Sequence, residues 1–410
     1  MARDFVHRKT CRICGGGRLV RFLDLGAMPP ANAFLSRSAL KKSEKKFPLA
    51  VYFCRSCTLV QLLDVVNPGL LFHDYPYLTS ASKPLADHFA ELGREIRDRF
   101  LSSRNDLVVE IGSNDGALLK SIIPHARVLG VDPAVNVAEL AEAEGVKTVK
   151  EFFTPAVAGN ILKQEGPARV IAANNVMAHV DDLRGVLAGV NTLLSADGVF
   201  IFEAHWVGNL IGKGGFDQIY HEHLCYFSLM ALKRAVEDAG MVIFDVRIVP
   251  IHGESLRVYA GKKKSAEKSV ARIIAREKKL GLDDIRTFRA FAARVGENRR
   301  HLQRILRDAK KRHKRVAGYG APGKGNTLLN YCGIDSSLLE YIVDSTPLKQ
   351  GLFTPGTRIP VRHPEILHEY VPDYLLLLAW NYADVIMKRE QWFRVSGGKW
   401  IIPVPRVRIM

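Results

Sequence analysis

A chain of 410 residues exceeds what one hydrophobic core usually supports, so two or three domains are expected. With 47% apolar and 25% charged residues, and no stretch near the ~18 apolar residues of a membrane span, disordered and polytopic membrane classes are excluded. A net charge of +17 fits nucleic acid, a membrane surface or an anionic small substrate as partner.

Met1 to Lys9 scatter their charge and offer no apolar h-region, so a cytoplasmic, reducing location is expected. In that setting Cys11-Arg12-Ile13-Cys14 and Cys54-Arg55-Ser56-Cys57 read as metal ligands rather than disulfides, while Cys225 and Cys332 stand alone. Residues 1–68 form a unit too small to bury much of a core, which needs a staple. Each C-x2-C sends two thiolates from one turn toward adjacent vertices of a tetrahedron. Cys11, Cys14, Cys54 and Cys57 leave no open coordination position, so a structural Zn2+ is expected.

Residues 69–262 begin with a linker, Tyr75-Pro76-Tyr77-Leu78-Thr79-Ser80, that leads into a helical run ending near Phe100. Short apolar strands then alternate with helical segments: Leu107 to Ile111, Val128 to Val131, Val170 to Ala173, Val199 to Phe202, Val242 to Val249 and Leu256 to Ala260. Such alternation predicts parallel βαβ units in a doubly wound sheet. Residues 263–314 read as basic connecting helices, with Ile273, Ile274, Leu280, Phe288, Phe291, Val295, Leu302 and Ile305 as the buried stripe. The excess charge here and at Lys41 to Lys46 is read as a solvated face. From 315 to 410, strands at Val316 to Gly318, Leu339 to Val343, Tyr374 to Leu378 and Trp400 to Ile402 predict a second Rossmann-like domain.

The run Val108-Val109-Glu110-Ile111-Gly112-Ser113-Asn114-Asp115-Gly116 is a strand entering a glycine turn before a helix near Ala117. Gly112 and Gly116 let a ligand approach the backbone at the sheet's carboxyl edge. The glycines stand four apart rather than as G-x-G-x-x-G, so pyrophosphate binding is disfavoured. The next strand ends at Asp132, 20 residues after Gly112, where a carboxylate can take both hydroxyls of a ribose.

These residues resemble class I methyltransferases, in which the turn corresponds to the methionine-binding loop and the acid to the adenosine ribose ligand. The likeness narrows along the chain. Cys11 to Cys57, Glu110 to Gly116, Asn174-Asn175-Val176-Met177-Ala178-His179, Tyr220-His221-Glu222-His223-Leu224-Cys225-Tyr226-Phe227-Ser228 and Gly318-Tyr319-Gly320-Ala321-Pro322-Gly323-Lys324-Gly325-Asn326-Thr327 follow the order seen in sugar C-methyltransferases of deoxysugar biosynthesis. That resemblance, from residue 11 to Ile402-Pro403-Val404-Pro405, implies an α/β fold: a zinc-binding domain, a class I methyltransferase Rossmann-like domain and a C-terminal Rossmann-like domain. It implies S-adenosylmethionine and Zn2+ as cofactors and a dTDP-, GDP- or CDP-linked 4-keto sugar as substrate, on a monomer or homodimer.

Carbon–carbon bond formation from a sulfonium methyl needs a carbon nucleophile, which the proton beside a ketone can yield as an enolate. The base needs a pKa near neutrality, and the developing oxyanion needs donors. Family likeness makes His223 the base at C3, with Glu222 and Tyr220 shaping the pocket, His179 close to the keto-sugar, and Tyr75 or Tyr77 folding over it. His221 and His205 read as core or capping residues. Donor contacts are expected from Glu110, Gly112, Asn114, Asp115, Gly116, Asp132, Asn174 and Asn175. Substrate contacts are expected from Ser80, Tyr319, Lys324 and Asn326, where the C-terminal glycine loop helps grip the diphosphate. That loop lacks an acid at the right distance for a second methyl donor, unless Asp344 serves. Gly253-Glu254-Ser255 and Ala321-Pro322-Gly323 depart from the family's pattern.

Two other readings compete. A zinc-ribbon nucleic-acid methyltransferase would suit the charge, but no Asn-Pro-Pro-Tyr/Phe run, cysteine nucleophile motif or aromatic-interleaved basic stripe is present. An O- or N-methyltransferase of a small metabolite would share the core without needing a base beside a ketone.

Overall fold

The computed structural model describes residues 4–72, 78–80, 83–251 and 253–410, and Tyr75 and Tyr77 lie outside them. The chain divides into two compact units, each assembled from separated stretches. The first comprises Met1–Val20, Tyr52–Gly208 and Leu224–Asp284; the second comprises Arg21–Val51, Asn209–His223 and Ile285–Met410.

The first unit is built on a seven-stranded sheet in the order Val242–Val249, Ser255–Gly261, Leu194–His205, Ala168–Asn174, Leu107–Ile111, Arg127–Val131, Thr148–Val149. Strand order reverses between Leu107–Ile111 and Ala168–Asn174, which opens a crevice at their carboxyl ends. The expectation of an all-parallel sheet is corrected at one strand, because Ser255–Gly261 runs antiparallel to both its neighbours. Few residues separate Val249 from Ser255, too few for the crossover a parallel return requires.

Helix Lys83–Phe100 covers one face, burying Leu85, Phe89, Leu92 and Ile96 at helical spacing against Val108, Val170, Val199 and Ile201. Each such side chain contributes about 1.5–3 kcal/mol. Helix Lys268–Lys279 buries Val270, Ile273 and Glu277, whereas Leu280, expected in its stripe, is 45% exposed. The stripe ends on a carboxylate for a reason. Glu277 accepts hydrogen bonds from the Leu229 and Met230 N–H groups at 2.5 and 2.9 Å and from Trp206 Nε1 at 2.8 Å. It thereby satisfies the open end of helix Leu229–Asp238.

The second unit holds a six-stranded sheet in the order Val361–Arg362, Ile342–Val343, Val316–Tyr319, Tyr374–Leu377, Lys399–Ile402, Arg408–Ile409. The first five strands are parallel and the last is antiparallel. Strand 342–343 is shorter than the 339–343 expected, and the two outer strands were not foreseen. Helix Ile285–Lys311 buries Phe288, Phe291, Val295, Leu302, Leu306 and Ala309 and leaves its basic residues outside.

Candidate active site

The four cysteines come together in the first unit, their sulfur atoms all within 4.8 Å of one another. Two like turns deliver them. Gly15 N–H donates to the Cys11 carbonyl at 3.0 Å and Thr58 N–H to the Cys54 carbonyl at 2.9 Å, each from a residue with positive φ, +68° and +63°. Glycine serves the first turn without strain, whereas Thr58 adopts the left-handed region despite its branched side chain. Bonds of ~2.3 Å to a tetrahedral zinc place sulfurs ~3.8 Å apart, and the Cys11–Cys57 and Cys14–Cys54 pairs stand at 3.4 and 3.5 Å. The donor set fits a closed, structural zinc.

At the crevice, Gly112 has φ +67°, and a Cβ there would meet Val176 at 2.3 Å. Its N–H donates to the Val131 carbonyl at 2.7 Å, tying the loop to the neighbouring strand. Asp132 fastens the same loop, accepting from the Asn114 and Ala134 N–H groups, both at 2.9 Å. Burial raises its pKa, and the two N–H bonds oppose that rise. Asn114 and Asp115 in turn accept from the N–H groups of Thr79 and Ser80 at 3.0 Å each, so the segment carrying Ser80 is fastened to the glycine loop. Glu110 is 4% exposed; burial pushes its pKa up to about 8, with Asp132 and Asp115 adding to the rise and Asn174, 3.3 Å away, opposing it.

Among the described residues, five buried side-chain atoms around this loop have no hydrogen-bond partner: Glu110 Oε2, Ser113 Oγ, Asp115 Oδ1, Asn174 Oδ1 and Asn175 Oδ1. Four of the five are carboxylate or amide oxygens. They can only accept unless a carboxyl is protonated, and leaving them unmet is costly. A cationic ligand rich in N–H and O–H groups suits them, and S-adenosylmethionine, with its ammonium, sulfonium, ribose hydroxyls and adenine amine, is such a ligand. Beyond Asn174, the Asn175 N–H donates to the Glu203 carbonyl at 2.9 Å. The Glu203 side chain is fully buried, bonded to His88 at 2.9 Å and Arg257 at 2.7 Å. Burial alone would raise its pKa, but those two partners leave it lowered. His179 lies half-buried in the turn Met177–His179 that follows.

The other expected side chains lie in the second unit. His223 Nδ1 bonds the Gln218 carbonyl at 2.9 Å, and its ring lies 4.0 Å from that of Tyr220. His221 is 1% exposed, its Nε2 on the Phe47 carbonyl at 3.1 Å and its ring edge-on to Phe47, in keeping with a core histidine. Glu222 is buried and burial raises its pKa to about 7; Asn32 Nδ2 opposes that rise by donating to both carboxylate oxygens at 2.8 and 3.1 Å.

In the C-terminal loop, Lys324 donates to Asn381 Oδ1 at 2.7 Å and lies 4.0 Å from the Trp380 ring centre. Burial lowers its pKa, and Asp217 opposes that. Asp217, fully buried, accepts from Trp380 Nε1 at 2.6 Å through one oxygen. Tyr319 and Asn326, like Lys324, have internal partners: the Tyr319 hydroxyl donates to Glu390 at 2.6 Å, and Asn326 Nδ2 donates to the Ala31 carbonyl at 2.7 Å. Asp344 accepts from the Ala321 and Thr346 N–H groups at 2.6 and 2.8 Å. Sequence reasoning missed Asn32, Asp217, Trp380 and Asn381, whose contacts join residues far apart in the chain and leave no local periodicity to find them by.

Three family models match successive parts of the chain: a "Putative zinc binding domain" at residues 11–72, a methyltransferase domain at 85–246 and a C-methyltransferase C-terminal domain at 250–405. The chain is 38% identical over 404 residues to the C-methyltransferase NovU of Streptomyces niveus, covering 98% of this chain and 96% of that one. Among solved structures, the magnesium protoporphyrin IX methyltransferase ChlM of Synechocystis aligns at 13% identity over 43% of this chain and 77% of its own, with a TM-score of 0.32. A ribosomal protein L11 methylase of Lactobacillus delbrueckii aligns at 15% over 44% and 80%, with a TM-score of 0.31.

Proposed function

We propose that this chain, which belongs to the zinc-containing C-methyltransferase family, moves the methyl group of S-adenosylmethionine to C3 of a nucleotide-linked 4-keto-deoxysugar, with His223 as base. The observation that carries this reading is the hydrogen bond from His223 to the Gln218 carbonyl. A carbonyl only accepts, so in the neutral ring Nδ1 holds the proton and Nε2 the lone pair. S-adenosylmethionine, when bound, supplies an electrophilic methyl. His223 Nε2 takes the C3 proton, which the 4-ketone acidifies but water at neutral pH does not remove. The C–H electron pair becomes an enolate. C3 then bonds to the methyl carbon as the carbon–sulfur bond breaks, and the imidazolium returns its proton to solvent.

Tyr220 beside His223, together with His179 and Tyr75 or Tyr77, supplies donors for the enolate oxygen. Glu222 holds the proton balance beside the base. Glu110, Gly112, Asn114, Asp115, Gly116, Asp132, Asn174 and Asn175 hold the donor, whose cationic and hydroxyl groups answer the unmet acceptors. Ser80, fastened to Asp115, faces the acceptor sugar. Lys324, at the start of helix Gly323–Cys332, takes the diphosphate of a dTDP-, GDP- or CDP-sugar, with Tyr319 and Asn326 supporting that loop from behind.

A mass-spectrometric screen of 4-keto nucleotide sugars with S-adenosylmethionine should reveal a +14 product on carbon. His223→Asn should lower turnover roughly 10²- to 10⁴-fold with S-adenosylhomocysteine affinity intact. A near wild-type rate would move the base to Tyr77 or His179. Exchange of the C3 proton in D2O separates this chemistry from O- or N-methylation, which would leave that proton in place.

A further inference from the structure

Glu222 owes its setting to a segment far away in sequence. The residue that meets it, Asn32, is itself solvent-exposed, yet its amide donates to both oxygens of a carboxylate that is only 4% exposed. Two groups on helix Gly323–Cys332 place that amide. Asn326 Nδ2 holds the Ala31 carbonyl at 2.7 Å, fixing the backbone just before Asn32. At Gly323 the missing side chain leaves room for the amide: a Cβ there would fall 2.4 Å from Asn32 Oδ1. The turn is closed by the Ala33 N–H on the Pro30 carbonyl and the Phe34 N–H on the Asn32 carbonyl, at 3.1 and 2.9 Å.

We propose that Asn32 is a positioning residue of the methyl-transfer reaction: seated on the N-terminal turn of helix Gly323–Cys332, it fixes the Glu222 carboxylate in one orientation beside His223. The proposal rests on the reading that the Tyr220–His223 segment serves the acceptor. It adds a residue from the segment between the cysteine pairs, and it links the helix that carries Lys324 to the acid adjoining the base. A ligand phosphate drawn to that helix turn would bear on Glu222 through one side chain. On its own stretch, Asn209–His223, the other titratable groups are Lys213, Asp217, Tyr220, His221 and His223, and the helix behind Asn32 carries Lys324 and Tyr331.

A double-mutant cycle on the full-length enzyme tests this. Asn32→Ala removes both bonds, and Gly323→Ala pushes the Asn32 amide aside. Each should lower kcat by roughly 10- to 100-fold, the worth of hydrogen bonds to a charged group. The double variant should be no worse than either single one, because both break the same contact. In Asn32→Ala the acid limb of the kcat profile should move to higher pH, since the carboxylate loses two donors. Wild-type kcat and pH profile in Asn32→Ala, or losses that multiply in the double variant, would overturn the proposal. Calorimetric binding of S-adenosylhomocysteine, expected to be unchanged in Asn32→Ala, and a melting temperature that falls by only a few degrees, as the loss of two bonds to a buried carboxylate predicts, separate positioning from damage to the fold. His223→Asn run in parallel keeps the two readings apart: an active His223→Asn refutes the base, and a silent Asn32→Ala beside an inactive His223→Asn refutes only the role of Asn32.

Discussion

The two glycine loops of this protein are built alike and furnished oppositely. In the first unit Gly112, with φ +67°, donates its N–H to Val131 at the end of the adjoining strand. In the second unit Gly320, with φ +81°, does the same to Val343 at 2.8 Å. Each adjoining strand is followed by an aspartate, Asp132 or Asp344, that accepts one N–H from the glycine loop and another from two residues further along its own chain. The backbone device is the same. Around the first loop, however, Glu110, Asp115, Asn174 and Asn175 have side-chain oxygens unmet among the described residues, whereas the second presents Lys324 at a helix start. The shared backbone device offers each loop the same place for a ligand, and the side chains around it favour opposite ligand charges.

The sharpest way to break this comparison is to remove each aspartate in turn. Asp132→Ala should weaken S-adenosylhomocysteine binding by roughly 10- to 100-fold, through loss of bonds to a charged acceptor and slackening of the Asn114 turn. Asp344→Ala should leave that affinity alone and raise KM for the nucleotide sugar. Calorimetry that finds the two variants alike would show that the loops do not divide the ligands by charge.

A smaller effect is expected at Lys324. Lys324→Met keeps the bulk over Trp380 and removes the charge, so KM for the sugar nucleotide should rise about ten-fold with kcat and donor affinity little changed. The salt dependence of KM should flatten in the variant. If KM holds steady, the second loop is architectural.

A third expectation concerns pH. Burial raises the pKa of Glu110 to about 8, which favours its protonated form at pH 7 in the free protein, and a bound cation favours the ionised form, in which both oxygens accept. Donor binding should therefore release a proton, and affinity should rise with pH up to about 8, by at most ten-fold per unit. The stability of the free protein runs the other way: a carboxyl with a raised folded pKa contributes stability at low pH that is lost as pH climbs toward 8. Glu110→Gln should flatten both slopes. A flat donor-binding profile in the wild type would sever Glu110 from the cation.

The smallest effect on the loops should come from the metal. Chelation should strip zinc and unfold the surroundings of Cys11, Cys14, Cys54 and Cys57, while donor affinity changes little. Metal analysis that finds the four thiols freely titratable in the native protein would remove the zinc altogether.

Local chemistry made much of this legible beforehand. C-x2-C pairs, a glycine turn behind an apolar strand and an acid 20 residues later each declare themselves within a short window, and their geometry is as expected. What hid from such windows was long-range. The reversal of Ser255–Gly261 leaves its apolar pattern unchanged, because a buried strand reads the same in both directions. Asn32 meets Glu222 across 190 residues, and nothing around Pro30-Ala31-Asn32 marks it as more than a turn. Tyr319 and Asn326 were read from a motif that records position along the chain, while their internal partners Glu390 and Ala31 lie elsewhere in the sequence.

The interrupted course of the second unit has a consequence for synthesis. Its first stretch ends at Val51, and its main body begins only at Ile285. Translation at ~5–20 residues per second places on the order of 10–50 s between them. Throughout that interval the strands Leu19–Met28 and Phe47–Cys54 can pair with each other, but Leu35 lacks the Phe353 it bridges and Asn32 the helix that seats it. A nascent chain stopped short of Ile285 would carry the glycine loop and all four cysteines, with Asn32 and Glu222 still lacking the helix that seats them. Such a product should bind S-adenosylhomocysteine, leave its 21–51 segment open to protease, and form no methylated sugar, however long it is given to fold.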